Sequence, residues 1–384
     1  MSTTSRRALS ADILVIGAGV IGLSLAWRLR QAGADVLVLE AGAAGAGATS
    51  AAAGMLAPRS EAAEAPGGHP ALEAFGEESL ALWPGFADEL SVTGGLDLEF
   101  DLSGVVAVAR PGDPPIGPDA EMLDADEVRA LEPALRGEIA AGLFRAGEGR
   151  VDPRKVAAAL ARAFRNAGGR LVEAAPATAL RMRSGRCVGA VGAFGAAEAG
   201  ATVVASGAGA PRLLAPLGVD CAVTPVKGQI LSVRLDGAPR RVVRAPGLYL
   251  VPKEDGRLLI GATVEPGVRD LEPTPAARDR LLAEAARLVP AIGQAEIVEH
   301  LAGVRPGTPD DAPLLGPPSE EIEGLVLAVG HYRSGVLLAP ATAEAMTDYL
   351  GFGRSPEAFS TFRADRFGRR AFSDQSLRTV RGQK

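Results

Sequence analysis

Between Asp12 and Glu40 the chain reads DILVIGAGVIGLSLAWRLRQAGADVLVLE, and no other stretch restricts the possible fold as much. Asp12 to Ile16 reads as a short buried strand. Gly17-Ala18-Gly19-Val20-Ile21-Gly22 then turns the chain into an apolar-faced helix reaching Ala32. Gly33 stops that helix, and Val36 to Leu39 supply a second strand ending in Glu40. Strand, G-x-G-x-x-G, helix, strand and an acid about twenty residues past the glycines form the βαβ pattern that binds an adenine dinucleotide. Gly17 allows the tight turn, Gly19 lets a pyrophosphate approach the backbone, and Gly22 lets the helix lie close on the sheet. The helix N-terminus offers unpaired N–H groups to phosphate, and Glu40 is placed to accept from ribose hydroxyls. The pattern alone leaves FAD and NAD both open.

At 384 residues the chain has room for two substantial cores. Apolar residues make up 47% and charged residues 22%, which is a globular rather than a disordered balance. A net charge of −6 gives no basis for nucleic-acid binding, and no Lys/Arg run suggests a membrane surface. Cys187 and Cys221 are too few for a disulfide framework or a zinc site; they suit a reducing cytosol, so a cytoplasmic location is expected. Arg6-Arg7 before an apolar run imitates an export signal, but that run holds the glycine turn, and Ile13 to Trp27 is too short to span a membrane. Met1 to Ser10 reads as a tail.

Downstream, residues 41–58 (AGAAGAGATSAAAGMLAP) are almost wholly small and apolar, unlike a polar flexible linker. Such a stretch suits backbone lying tightly against a large flat ligand, with the Thr49 and Ser50 hydroxyls available and Gly54-Met55 beside a ring system. Helical periodicity covers Ala71 to Leu90, and Phe100 to Ala109 reads as a strand. Asp124 caps a helix to Leu135, and Ile139 to Phe144 is a strand. Asp152 and Pro153 open another helix at N-cap and first position, with Val156, Leu160 and Phe164 on its apolar face. After Gly168-Gly169, Arg170 to Glu173 begin a strand. Leu180–Met182, Cys187–Val191 and Ala201–Ala205 follow as a meander, the last running into a glycine-rich turn and a helix near Leu213. The stretches 221–235, 241–252 and 257–264 are β-rich, Asp279 to Leu288 is a helix, and Glu296 to Val304 a strand. Arg305 to Asp310 reads as a turn-rich loop. Leu325 to Val329 is a buried strand feeding Gly330 to Gly335, and a helix then runs to Leu350. The expected fold class is α/β (α+β), with a Rossmann-like βαβ domain and a second domain built on an antiparallel sheet.

These residues carry a resemblance. The sequence is similar to the D-amino-acid-oxidase-like FAD oxidoreductases, and within them to the glycine oxidases of thiazole formation in thiamine biosynthesis. The matching pieces, besides the opening βαβ unit, are ATSAAAGMLAP, RVDPRKVAAAL, VVASGAGA, PVKGQIL, YLVPK, GRLLIGAT, GVRPGTPDDAPLLG and GHYRSGVLLAPAT, in the family's order over nearly the whole chain. The resemblance implies an FAD domain of three segments (11–86, 148–219 and 303–367), a substrate domain from 87–147 and 220–302, and tails at 1–10 and 368–384. It also implies a homo-oligomer, a tetramer.

Carried over by motif, Val20, Ile21, Glu40, Ala41, Ala48, Thr49, Ser50, Ala53, Gly54 and Met55 would contact FAD together with Gly17, Gly19 and Gly22. Ala177 would meet the adenine. Gly303 and the run His331, Tyr332, Arg333, Ser334, Gly335, Val336 and Leu337 would wrap the flavin. Arg305 and Arg333 match the residues that hold the substrate carboxylate, Tyr249 matches the phenol reaching the same group, and Met55 would line the pocket. Arginine suits a carboxylate because its planar fork gives a bidentate charge-assisted pair. Ser334 stands where relatives often carry Asn. No cysteine lies between Gly303 and Asp310, so the flavin is expected to be noncovalent.

No Ser-His-Asp, metal-ligand or paired-carboxylate arrangement stands out. His331 beside a flavin reads as a shaping residue more readily than as a base. In flavin oxidation of an amine the cofactor takes the hydride, and the protein supplies position and electrostatics. A helix beginning near Gly335 would aim its N–H groups at the flavin's pyrimidine end. The implied reaction converts glycine, sarcosine or small D-amino acids to the imine or glyoxylate, with O2 reduced to H2O2. Its rivals are a D-amino-acid or sarcosine dehydrogenase using another acceptor, and a non-catalytic protein holding FAD as a structural element.

Overall fold

A computed structural model describes residues 9–63, 68–116 and 122–367. One of its two main sheets is mixed, in the strand order Leu314–Gly316, Leu325–Val329, Gly195–Val204, Leu9–Ile16, Val36–Leu39, Arg170–Val172. The four pairings from Leu325–Val329 through Arg170–Val172 are parallel. The meander strand Arg186–Gly192 pairs antiparallel with Gly195–Val204, and Ala177–Arg183 pairs antiparallel with Arg186–Gly192. The first strand begins at Leu9 rather than Asp12, because Leu9 and Ser10 find partners in Ala197 and Glu198. That shortens the expected tail, whose remaining residues 1–8 lie outside the described ones, as do 368–384.

Helices pack on this sheet and on the second one, for reasons visible in their ends. Asp152 accepts hydrogen bonds from Arg154 and Lys155 N–H at the start of Pro153–Asn166, whose Val156, Leu160 and Phe164 are buried. Leu72–Gly94 runs past the expected end at Leu90 to a left-handed Gly95. A Cβ on Gly94 would stand 2.7 Å from the backbone of Ala159, so these two helices touch at backbone distance. The helix after Asp124 has its capping box with Glu127 but stops at Leu131, where Glu132 leaves helical geometry. Thr274 and Pro275 start the helix Pro275–Leu288 earlier than Asp279.

The second sheet runs Glu265–Pro266, Thr224–Arg234, Arg257–Gly261, Leu248–Pro252, Val242–Ala245, Val105–Ala109, Ala141–Arg145, with the long strand Glu296–Gly307 also paired to Thr224–Arg234. It is antiparallel except between Val242–Ala245 and Val105–Ala109. Arg305 lies inside Glu296–Gly307, not in a loop, because Pro306 and Gly307 still pair with Pro225 and Thr224. That strand crosses the expected boundary at 302/303 without a break, and the helix Leu72–Gly94 likewise crosses 86/87. The short pair Met55–Leu56 and Gly149–Arg150 lies at the junction. Among the described residues no helix is long and apolar enough to cross a membrane.

Candidate active site

The glycine turn is built as its spacing demands. Gly17 has φ +113, and a Cβ on it would meet the Ala205 carbonyl oxygen at 2.5 Å. One on Gly22 would stand 2.0 Å from the Gly17 oxygen, which makes a side chain there impossible without moving backbone. Gly19 is open by contrast: only the Thr49 hydroxyl, 3.4 Å away, would face its Cβ. Thr49 Oγ1 accepts the N–H of Val20 at 3.1 Å, tying the small-residue stretch to the helix N-terminus. Glu40 accepts from Ala18 N–H at 2.7 Å and from Gly42 N–H at 2.9 Å. Ala175 N–H in turn reaches the Glu40 carbonyl at 2.8 Å, and the strand carrying Ala177 starts two residues later. Ala41 follows Glu40 at the exposed rim. The Ser50 hydroxyl turns back onto the carbonyls of Ala46 and Gly47, 3.0 Å each, so it closes a local turn instead of facing outward.

A cavity opens beside the small-residue stretch. Its walls include Ala48, Ala51, Ala52, Ala53, Gly54 and Met55 on one side and Tyr249, Gly303, Arg305, Tyr332, Arg333, Ser334, Val336 and Leu337 on the others. Sheet register assembles much of it. Arg244 stands directly opposite Tyr249, and Tyr249 opposite Gly261. The Tyr249 ring lies on Gly261, where a Cβ would come within 2.3 Å of it. The Arg305 guanidinium lies in the same way on Gly228, with a would-be Cβ 2.0 Å from Nη1. Arg305 Nη1 donates to the Thr263 carbonyl at 3.1 Å. Two glycines thus form the floor under two functional groups. A Cβ on Gly303 would be 2.5 Å from that of Ala51, so the wall there is only backbone thick.

Two further charged residues belong to this cavity and escaped the sequence reading. Glu61, on the short helix Pro58–Ala63, is ion-paired to Arg244 through one oxygen and lies 3.4 Å from Arg333 Nε through the other. Arg244 Nη1 also stands 3.8 Å from the Met55 sulfur. Arg244 left a signal: it is the charged residue in an otherwise apolar strand, Val242–Ala245, every position of which is buried. Burial alone would raise the Glu61 carboxyl, but Arg244, Arg333 and Arg305 together hold it below the usual carboxylate range. Burial pushes the Tyr249 phenol up, against the pull of Arg305, so it is a neutral hydrogen-bonding group at working pH. It likewise raises Tyr332, in spite of Arg333 and Arg305.

The segment after Leu325–Val329 departs from expectation. No helix begins near Gly335; residues 332–338 form successive turns, and the helix that follows is Ala339–Phe352. Tyr332 sits at φ +45, its N–H on the Pro306 carbonyl at 3.1 Å, which keeps Arg333 beside Arg305's strand. The Leu337 carbonyl accepts from Ser79 Oγ (2.7 Å) and Trp83 Nε1 (3.0 Å), so the long helix Leu72–Gly94 braces the turns from behind. His331 is buried, with Nε2 3.1 Å from Thr342 Oγ1, and burial depresses its pKa to about 3. It is neutral and points into the protein.

An open backbone over the helix N-terminus, an acid at the end of the next strand and a slot walled by small residues fit an adenine dinucleotide with a flat ring. The family of FAD dependent oxidoreductases (DAO) matches residues 12–349, and the chain belongs to that family. It is 37% identical to glycine oxidase of Geobacillus kaustophilus over 88% of this chain and 92% of that protein. It is 36% identical to glycine oxidase of Bacillus licheniformis, over 92% of this chain and 97% of the relative. A bifunctional protein ThiO/ThiG of Synechocystis is 35% identical over 91% of this chain and 52% of its own length. The crystal structure of glycine oxidase from Geobacillus kaustophilus superposes with a TM-score of 0.84 at 34% identity, covering 94% of this chain and 99% of that one.

Proposed function

We propose that the protein is an FAD-dependent oxidase of glycine and of other small amines such as sarcosine or small D-amino acids. Oxygen would be reduced to H2O2, and the imine, or glyoxylate after hydrolysis, would feed thiazole formation in thiamine biosynthesis in the cytoplasm. The observation that carries this reading is the convergence of Arg305, Tyr249 and Arg333 on one cavity whose opposite wall is the small-residue stretch Ala48–Met55. The same reading includes noncovalent FAD and assembly into a homo-oligomer.

The roles follow from position. Gly17, Gly19, Gly22, Val20, Ile21 and Thr49 hold the pyrophosphate end, while Glu40 and Ala41 serve the ribose and Ala177 the adenine. Ala48, Ala53, Gly54, Met55, Gly303 and the turns from His331 to Leu337 hold the ring system. Bound FAD supplies the electron-accepting chemistry. Arg305, flat on Gly228, offers its fork to the substrate carboxylate. Tyr249 donates its hydroxyl to the same group, and Arg333 closes the pair from the turn segment. Fixing the carboxylate at three points orients the Cα–H bond, and orientation is where much of the rate comes from. Glu61 anchors Arg244 and holds a negative charge that competes with the substrate carboxylate for Arg333.

The test is a spectrum of the purified protein followed through anaerobic addition of glycine. The flavin bands should bleach, and air should restore them with production of peroxide. Bleaching without oxygen uptake would point to a dehydrogenase instead, and bands indifferent to every small amine would reject catalysis.

A further inference from the structure

We propose that Lys253 is a positioning residue: it fastens the Ala53–Met55 segment to the strand bearing Tyr249, and so sets the spacing between the substrate clamp and the flavin wall. This rests on the reading above.

Leu248–Pro252 carries Tyr249 and Val251 on one face, and Lys253, the next residue after the strand, continues the same alternation. Val251 packs in one apolar cluster with Ala53. Lys253 goes further. Its Nζ donates to the Ala53 carbonyl at 3.1 Å and to the Val151 carbonyl at 3.0 Å, and stands 3.7 Å from Asp152 Oδ2. Its side chain is 2% exposed. The other Asp152 oxygen is already engaged as N-cap of Pro153–Asn166, so the ammonium meets a carboxylate that cannot swing away.

The Ala53 carbonyl belongs to the peptide bond leading into Gly54, the left-handed residue at φ +86 that turns the chain toward Met55. A Cβ on Gly54 would meet the Val151 oxygen at 2.2 Å, and Val151 N–H reaches the Gly54 carbonyl at 2.9 Å. The segment is therefore held on one side by the Val151 backbone and on the other by Lys253. Lys253 is itself fixed, its N–H bonding the Arg257 carbonyl across the hairpin turn at 2.8 Å. A buried ammonium is costly unless fully satisfied. Burial lowers the pKa of Lys253 to about 8, with Asp152 and Glu99 favouring its charge and Arg150 and Arg257 opposing it. A lysine kept only for packing would be replaced at no loss by an apolar chain of equal length; one that aims a carbonyl would not.

Lys253→Met in the FAD-loaded enzyme tests this. Expected are retained FAD, an altered visible circular dichroism of the bound flavin, and anaerobic reduction by saturating glycine slowed about tenfold to a hundredfold. The glycine concentration giving half-maximal rate should hold, because Arg305, Tyr249 and Arg333 are untouched. Lys253→Arg, which can still reach both carbonyls, should recover most of the rate. Native dichroism and native reduction rate in Lys253→Met would overturn the assignment. Should that variant fail to fold, Asp152→Asn preserves the helix cap and removes the ion pair, and an unchanged flavin dichroism there overturns it equally. If the native enzyme itself ignores glycine, the functional reading fails, while the dichroism still decides the role of Lys253.

Discussion

Around the nucleotide cleft, Gly17, Gly19, Gly22 and Glu40 lie within one βαβ unit, whereas the arginine pocket draws Glu61, Arg244, Tyr249 and Arg305 from four separate elements and Arg333 from a turn segment. In the first region the backbone does the work, and the informative residues are those with no side chain. In the second, side chains act, but each depends on a glycine or a register elsewhere that lets it lie where it does. The cleft should therefore be broken by adding atoms locally, and the pocket by disturbing strands that touch no ligand.

The largest effect is expected at the clamp. Arg305→Ala removes the fork while leaving the glycine turn intact, and kcat/KM for glycine should fall about a thousandfold, roughly 4 kcal/mol, with FAD still bound. Oxygen uptake and the flavin spectrum measure the two halves separately. Loss of FAD together with activity would show that the regions are not independent. Gly22→Ala is the mirror experiment. Its Cβ would press on the Gly17 oxygen at 2.0 Å, and forcing atoms into such a contact costs about 1 to 3 kcal/mol. FAD affinity should drop about ten- to a hundredfold, seen as flavin lost on gel filtration, with the thermal midpoint lowered.

Gly228→Ala sharpens the contrast. The residue belongs to neither the cofactor turn nor the charged set, yet its Cβ would lie 2.0 Å from Arg305 Nη1. The guanidinium must lift, and KM for glycine should rise about tenfold, near 1.4 kcal/mol, with FAD affinity unchanged. An unchanged KM would mean that Arg305 is not the clamp.

The same contrast explains what could be read in advance. The βαβ unit and the helix at Asp152-Pro153 were legible because turn, cap and periodicity are all local. Arg305 was read as a loop residue from Pro306, Gly307 and Pro309, and pairing with Thr224–Arg234 overrode that turn chemistry. Leu9 and Ser10 became strand for the same reason, a partner nearly two hundred residues away. The helix Ala339–Phe352 starts later than expected because nothing in Val336 to Leu338 breaks a helix, while Ser79 and Trp83 from another helix impose turns there. Arg244 and Glu61 meet only through tertiary packing. Residue type marked Arg244 as unusual in its strand; nothing local announced its partner.

Glu61→Gln probes that unannounced pair. Glu61 is ionised, and it holds Arg333 that the substrate needs, so neutralising it should lower KM for glycine about two- to fivefold, within roughly 1 kcal/mol. The sign for stability is opposite. A carboxylate whose pKa is lowered on folding stabilises the protein above its unfolded pKa, and that contribution is lost as pH falls through the folded value. The native chain should therefore lose stability on acidification more steeply than Glu61→Gln in urea titrations. A higher KM in Glu61→Gln would make Glu61 a support for Arg333 and not its competitor.

The smallest kinetic effect is expected where a base might have been sought. His331 immediately precedes the turn segment of the pocket, but its pKa of about 3 leaves it neutral throughout the range in which the enzyme works. Its ring bonds Thr342 rather than the cavity. His331→Gln should leave the pH profile of anaerobic flavin reduction unshifted between about pH 5 and 9, since no group with the ordinary histidine pKa is being removed. Stability behaves differently. The unfolded chain takes a proton on this histidine near its ordinary value and the folded chain does not until about pH 3, so folding weakens as pH falls through that window. The Gln variant should lack this component of acid sensitivity. A histidine that moved the rate profile while leaving acid stability alone would reverse both inferences and place a proton acceptor in the pocket after all.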